Sequence, residues 1–148
     1  MNGNFSDKEI EGGNREQKEK PKQVVWIIDD SSAIQETVGE FLKMEGFEIR
    51  TFSSGESALE ALGKEKPPFA FIIDGNLGSD KMEGWQITQA LGERGVNAFI
   101  VAHSSDNRDN SRIEEEAKKF GIRVKSFEKG GYQYSFDEMA EAIRSLKD

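Results

Sequence analysis

Five short apolar runs alternate with amphipathic segments along this chain, and that alternation restricts the fold more than any other feature of the sequence. The runs VVWII, FEIRTF, FAFII, AFIVA and IRVKSF begin at residues 24, 47, 69, 98 and 122. Each has the length of a strand. The segments between them carry helical signals. The first places Ser32 and Gln35 in capping-box spacing, lines up Ile34, Val38 and Leu42, and stops at Gly46, which predicts a helix over 32–45. Ser53 and Glu56 repeat the device ahead of Ala58, Leu59 and Leu62, and Ser135 and Glu138 do so around Phe136, Met139, Ala140 and Ile143. Thinner stripes predict helices over 84–94 and over 108–120, the latter with Ile113, Ala117 and Phe120 before Gly121. Strands that alternate with helices pair in parallel through right-handed crossovers, and fully apolar rather than alternating strands imply a sheet covered on both faces. The expected fold is α/β: a flavodoxin-like doubly wound (βα)5 sandwich with a five-stranded parallel sheet in the order 2-1-3-4-5.

The chain has 148 residues, enough for one domain with a sizeable core. Residues 1–22 contain five acids, five bases and little that is apolar, and read as a disordered tail, leaving 23–148 as the domain. Since the tail is neutral, the domain carries the whole net charge of −8, which disfavours nucleic acid and anionic membrane surfaces as partners. The absence of cysteine excludes a disulfide, a thiolate metal site and a cysteine nucleophile, and no apolar run is long enough for a membrane span. A cytoplasmic location is the expectation.

Two of the apolar runs end on carboxylates. VVWII stops at Asp29 and Asp30, and FAFII stops at Asp74. In a doubly wound sheet, sites form beyond the carboxyl ends of the strands near the point where strand order reverses, and the first and third strands are neighbours there. A single acid at such a place reads as solvated or as a helix cap. Three converging carboxylates repel one another, raising at least one pKa, and make better sense as oxygen ligands for a hard divalent cation such as Mg²⁺. The fourth run ends near Ser104 and the fifth near Lys129, so a hydroxyl and an ammonium reach the same edge.

This ordered set resembles the receiver domain of two-component response regulators: an acidic pair after the first strand, a lone Asp after the third, Ser or Thr after the fourth and Lys after the fifth. The resemblance covers 23–148. It implies that Asp74 is the phosphoacceptor, taking a phosphoryl group from a phosphohistidine on a histidine kinase or histidine phosphotransfer protein. It further implies Mg²⁺ or Mn²⁺ held by Asp29, Asp30, Asp74 and the backbone carbonyl of Asn76, with Ser104 and Lys129 stabilising the phosphoryl group. Such a protein is not an enzyme beyond catalysing its own phosphorylation and dephosphorylation. The chain ends soon after the fifth helix, so output is expected by contact with a downstream protein, and a homodimer is allowed.

The sequence also departs from the family pattern. Gly130 follows the Lys where a Pro with a cis bond is usual. Ser126 stands where a Tyr or Phe often forms the switch, with Phe127 alternating to the other face. The loop GNLGSDKMEGW lacks the common Pro and is longer, and its Gly75 and Gly78 suggest pliability. A receiver-like adaptor that binds partners without phosphorylation is the alternative reading. A phosphohydrolase with an Asp nucleophile would want a second acid two residues on, where Asn76 stands. His103, the only histidine, reads as structural; Trp85, Tyr132 and Tyr134 read as partner anchors or buried edges; and RIEEEAKK reads as a solvated helix face.

Overall fold

Strand and helix alternate throughout the computed structural model, which describes residues 22–130 and 136–145. The elements run β1 (Val24–Ile28), α1 (Ser32–Met44), β2 (Glu48–Phe52), α2 (Gly55–Leu62), β3 (Ala70–Ile73), α3 (Gly84–Glu93), β4 (Phe99–Ser104), α4 (Asn107–Lys119), β5 (Val124–Glu128) and α5 (Phe136–Arg144). The five strands form one parallel sheet in the order β2-β1-β3-β4-β5, the predicted doubly wound topology. The tail expected over residues 1–22 lies outside the described residues except for exposed Lys22, as do Ser135, Tyr132 and Tyr134.

The sheet separates two apolar layers because successive strand residues face opposite ways. Trp26, Ile28, Phe71, Ile73, Ile100 and Ala102 pack against α2, α3 and α4. Val25, Ile27, Ile72, Val101 and Phe127 pack against α1 and α5. Every residue of β3 and β4 is buried, whereas the edge strands β2 and β5 expose Glu48, Arg50, Thr51, Lys125 and Glu128. Only the central strands are therefore covered on both faces along their length. Each fully buried Ile or Leu contributes about 1.5–3 kcal/mol of transfer free energy, so the three central strands fix the ends on which the carboxylates sit.

Two helix starts differ by one residue from the capping-box reading. Ser31, with an extended backbone, caps α1 by accepting from Ile34 N at 3.2 Å, and Ser54 caps α2 by accepting from Ser57 N at 3.2 Å. In each pair of adjacent serines, the cap is the one immediately before the first helical residue. Gln35, freed from capping, ties the ends of β1 and β2 together, its amide donating to Asp29 O at 2.6 Å and to Ser53 Oγ at 3.3 Å. Glu56 accepts from Met82 N at 3.2 Å and so anchors the loop that precedes α3.

Candidate functional site

The parallel ladder continues one residue past β1 and β3, with Asp29 N donating to Phe52 O at 3.0 Å and Asp74 N donating to Ile28 O at 2.9 Å. Backbone bonding therefore holds the first residue after each strand in register with the sheet. Asp29 is 2 % exposed and Asp74 is 5 % exposed, while Asp30 faces solvent. Carboxylate oxygens of all three lie within 4.8 Å of one another. An all-carboxylate donor set at this spacing, partly open to water, suits an oxygen-seeking divalent ion such as Mg²⁺ or Mn²⁺.

Lys129 reaches this cluster from the end of β5. Its Nζ lies 2.8 Å from Asp29 Oδ2 and 3.3 Å from Asp74 Oδ2, and its backbone N–H donates to Ser104 O at 3.0 Å. Ser104 is 2 % exposed, and its Oγ accepts from Asp106 N at 3.3 Å. Thus β1, β3, β4 and β5 each deliver a polar group to one edge. The other carboxylate contacts come from backbone amides: Ser31 N donates to Asp29 Oδ1 at 2.9 Å and Asn76 N donates to Asp74 Oδ1 at 3.2 Å. The Asn76 side chain is exposed, and its Oδ1 accepts from Gly78 N at 3.2 Å.

These contacts set the charge balance. Burial, reinforced by the neighbouring Asp29 charge, pushes the Asp74 carboxyl up to about 6, although the Asn76 N–H and Lys129 pull it back. Burial works against the Lys129 ammonium, but the bond to Asp29 and the charge of Asp74 outweigh it and raise its pKa. His103 is buried beside this edge, and burial followed by the Lys129 charge lowers its imidazole to about 4. It is therefore neutral at pH 7, and strand alternation places it on the opposite face from Ser104. The adjacent Phe127, its register partner on β5, packs in the layer under α1 and α5.

The response regulator receiver domain family matches residues 25–129, spanning every residue of this edge. The chain belongs to that family. Solved receivers share its fold. A CheY-like receiver domain from Methylobacillus flagellatus matches with a TM-score of 0.67 and 24 % identity, covering 86 % of this chain and 100 % of that one. The chemotaxis protein CheY4 of Vibrio cholerae matches with a TM-score of 0.69 and 19 % identity, over 85 % of this chain and 99 % of that one. The response regulator TrrA of Thermotoga maritima, solved in complex with Mg²⁺-BeF, matches with a TM-score of 0.67 and 21 % identity, over 84 % of this chain and 98 % of that one.

Several further contacts surround the receiver site. Among the described residues every peptide bond is trans, and Gly130 takes a φ of 71°, a left-handed conformation that favours glycine. Ser126 donates its hydroxyl to Glu114 of α4, so this position is tied to the helix by a polar bond. Gly75 is explained by packing rather than pliability: a Cβ there would lie 2.4 Å from Asp109 Cβ and 3.2 Å from Ser104 Oγ. Gly84 is similar, since a Cβ would lie 2.6 Å from Asp74 O. The loop after Asp74 is therefore pressed against both the β4 end and the first turn of α4.

The start of α3 is also fastened to α4. Trp85 is half-buried; its Nε1–H donates to Glu83 Oε1 at 3.1 Å, and the Arg112 guanidinium sits 4.8 Å from its ring centre and 3.3 Å from Glu83 Oε1. RIEEEAKK is not wholly a solvated face, for Ile113, Glu116 and Ala117 are buried, Glu116 pairs with Lys119 at 2.9 Å and Glu114 holds Ser126. Sequence reasoning missed Glu83, Gly84, Asp109 and Asn110, because polar residues and glycines in a thin helical stripe carry no signal of what they face.

Proposed function

We propose that this receiver is a phosphoacceptor in a two-component or phosphorelay pathway, with Asp74 phosphorylated from a phosphohistidine of a histidine kinase or histidine phosphotransfer protein. The observation that carries this reading is the placement of Lys129 Nζ between the buried carboxylates of Asp29 and Asp74, beside the Ser104-bearing end of β4. An Asp74 oxygen attacks the phosphorus in line with the phosphorus–nitrogen bond; a phosphorus–oxygen bond forms, the phosphorus–nitrogen bond breaks, and the departing imidazole takes up a proton. With its pKa near 6, Asp74 is mostly ionised at pH 7 yet more basic than an ordinary carboxylate. Lys129 follows the developing charge as a mobile ammonium, and Ser104 supplies a hydrogen-bond donor to a phosphoryl oxygen.

Asp29, Asp30 and Asp74 would hold Mg²⁺ or Mn²⁺, with the Asn76 carbonyl as a further ligand. A divalent ion bound there offsets the repulsion between these carboxylates and an incoming phosphoryl group. The phosphorylated Asp74 carries more charge and more acceptors than the carboxylate, which draws Ser104 and Lys129 toward it and biases the ends of β4 and β5 toward a second arrangement. That shift is read by a downstream protein. The protein acts in the cytoplasm, with neither nucleic acid nor membrane as a partner, in keeping with its net charge of −8.

The test is incubation of the full chain with a small phosphodonor and Mg²⁺, followed by intact mass measurement. The expected result is one hydroxylamine-sensitive phosphoryl adduct, absent from Asp74→Asn. No adduct on the wild type would point to the adaptor reading, as would a partner whose binding ignores Asp74→Asn.

A further inference from the structure

Asn110 sits in the first turns of α4, is 4 % exposed, and is aimed at the ends of two strands. Its Nδ2 donates to Ser104 O at 3.3 Å and to Phe127 O at 3.5 Å. The orientation of the amide follows from its surroundings, since turning it over would set Oδ1 against two carbonyl oxygens. Ser104 O also accepts from Lys129 N at 3.0 Å, so the two residues proposed to grip the phosphoryl group already share one carbonyl. Asn110 adds the second tie, from β4 to the β5 residue two positions before Lys129.

Among the described residues, Asn110 Oδ1 is buried and accepts no hydrogen bond. A buried acceptor without a donor is costly, and a residue present only to fill space would be better made of carbon. An aliphatic side chain cannot hold Ser104 O and Phe127 O together. We propose that Asn110 is a positioning residue for phosphoryl transfer: it fastens the end of β4 that carries Ser104 to the end of β5 that leads into Lys129, so that hydroxyl and ammonium meet the phosphoryl group as one unit.

Position 126 gives this tie a further consequence. The Ser126–Glu114 bond is a second polar link between β5 and α4, and both links lie on the α4 side of the sheet. Movement of Ser104 toward a phosphoryl group therefore pulls on α4 through Asn110. The inference rests on the phosphoacceptor reading.

The experiment is a double-substitution cycle on the full chain, with acetyl phosphate and Mg²⁺ as the probe and the rate of phosphorylation read by intact mass. Asn110→Ala slows phosphorylation roughly tenfold in the wild-type background, the scale expected when a transition-state group is slightly misplaced. In the Ser104→Ala background the same substitution has less than half that effect on a logarithmic scale, because the hydroxyl it positions is already gone. Equal slowing in both backgrounds, as a packing role alone would give, overturns the proposal, and so does an unchanged rate. Should Asn110→Ala fail to fold, Asn110→Gln keeps the amide donors with altered reach and is read in the same cycle, where equal slowing in both backgrounds again overturns the proposal. A wild type that takes no phosphoryl group overturns the phosphoacceptor reading and this inference with it; a phosphorylated wild type with indifferent Asn110 variants overturns this inference alone.

Discussion

Replacing Asp74 by Asn should stabilise the metal-free protein at neutral pH while abolishing its phosphorylation. Asp74 is buried next to Asp29, and its pKa in the folded chain is raised from 3.8 to about 6. A raised carboxyl pKa means that the folded state holds a proton which the unfolded state has released. Stability is therefore fully present below about pH 4 and is lost as pH rises through about 6. Each pKa unit corresponds to about 1.4 kcal/mol, and the rise of about two units gives about 3 kcal/mol, reduced to about 2 kcal/mol by solvent screening at the open mouth of the site. The amide keeps the carboxylate's shape and removes its charge, and Lys129 retains Asp29 at 2.8 Å, so the substitution strands no cation. Urea unfolding in EDTA should show Asp74→Asn about 2 kcal/mol more stable than wild type at pH 7.5 and by no more than about half that at pH 4.5. Saturating Mg²⁺ should then stabilise the wild type more than the variant, because a ligand stabilises the state that binds it. A variant less stable than wild type at pH 7.5, or a gain independent of pH, would refute the reasoning.

Three further outcomes are expected. Lys129→Ala leaves the buried carboxylates of Asp29 and Asp74 facing each other, and urea unfolding in EDTA at pH 7.5 should show a loss of about 2 kcal/mol, with phosphorylation by a small donor strongly slowed. Gly75→Ala forces a methyl group to within 2.4 Å of Asp109 Cβ and should cost about 1–3 kcal/mol in thermal or denaturant unfolding; a neutral result would mean that α4 yields freely there. The imidazole of His103, lowered to about 4, should show no titration between pH 5.5 and 8 by proton NMR, and a midpoint near 6.5 would contradict its buried placement.

The sheet was legible because its signals are additive: five apolar runs, spaced by amphipathic segments, leave few alternatives to a parallel doubly wound order. Asp29, Asp74, Ser104 and Lys129 were legible for a related reason, as each stands at or just past the carboxyl end of a strand in the sheet. The helix caps fall on Ser31 and Ser54, one residue away from the serines that the capping-box spacing selects, because two adjacent serines offer the same side chain and only backbone conformation decides between them. Gly75 misleads for the opposite reason: glycine in a loop suggests freedom, and only the fold reveals that Asp109 and Ser104 crowd it. Asn110 gave no signal, since its partners are the carbonyl oxygens of Ser104 and Phe127, which any sequence would supply.

The central claim is that the phosphoryl group is carried by Asp74. Borohydride reduction of the phosphorylated full chain converts an aspartyl phosphate to homoserine, and peptide mass spectrometry then locates it. Conversion at residue 74 and nowhere else is the predicted result. Conversion at Asp29 or Asp30, or no conversion after demonstrated phosphorylation, would contradict it.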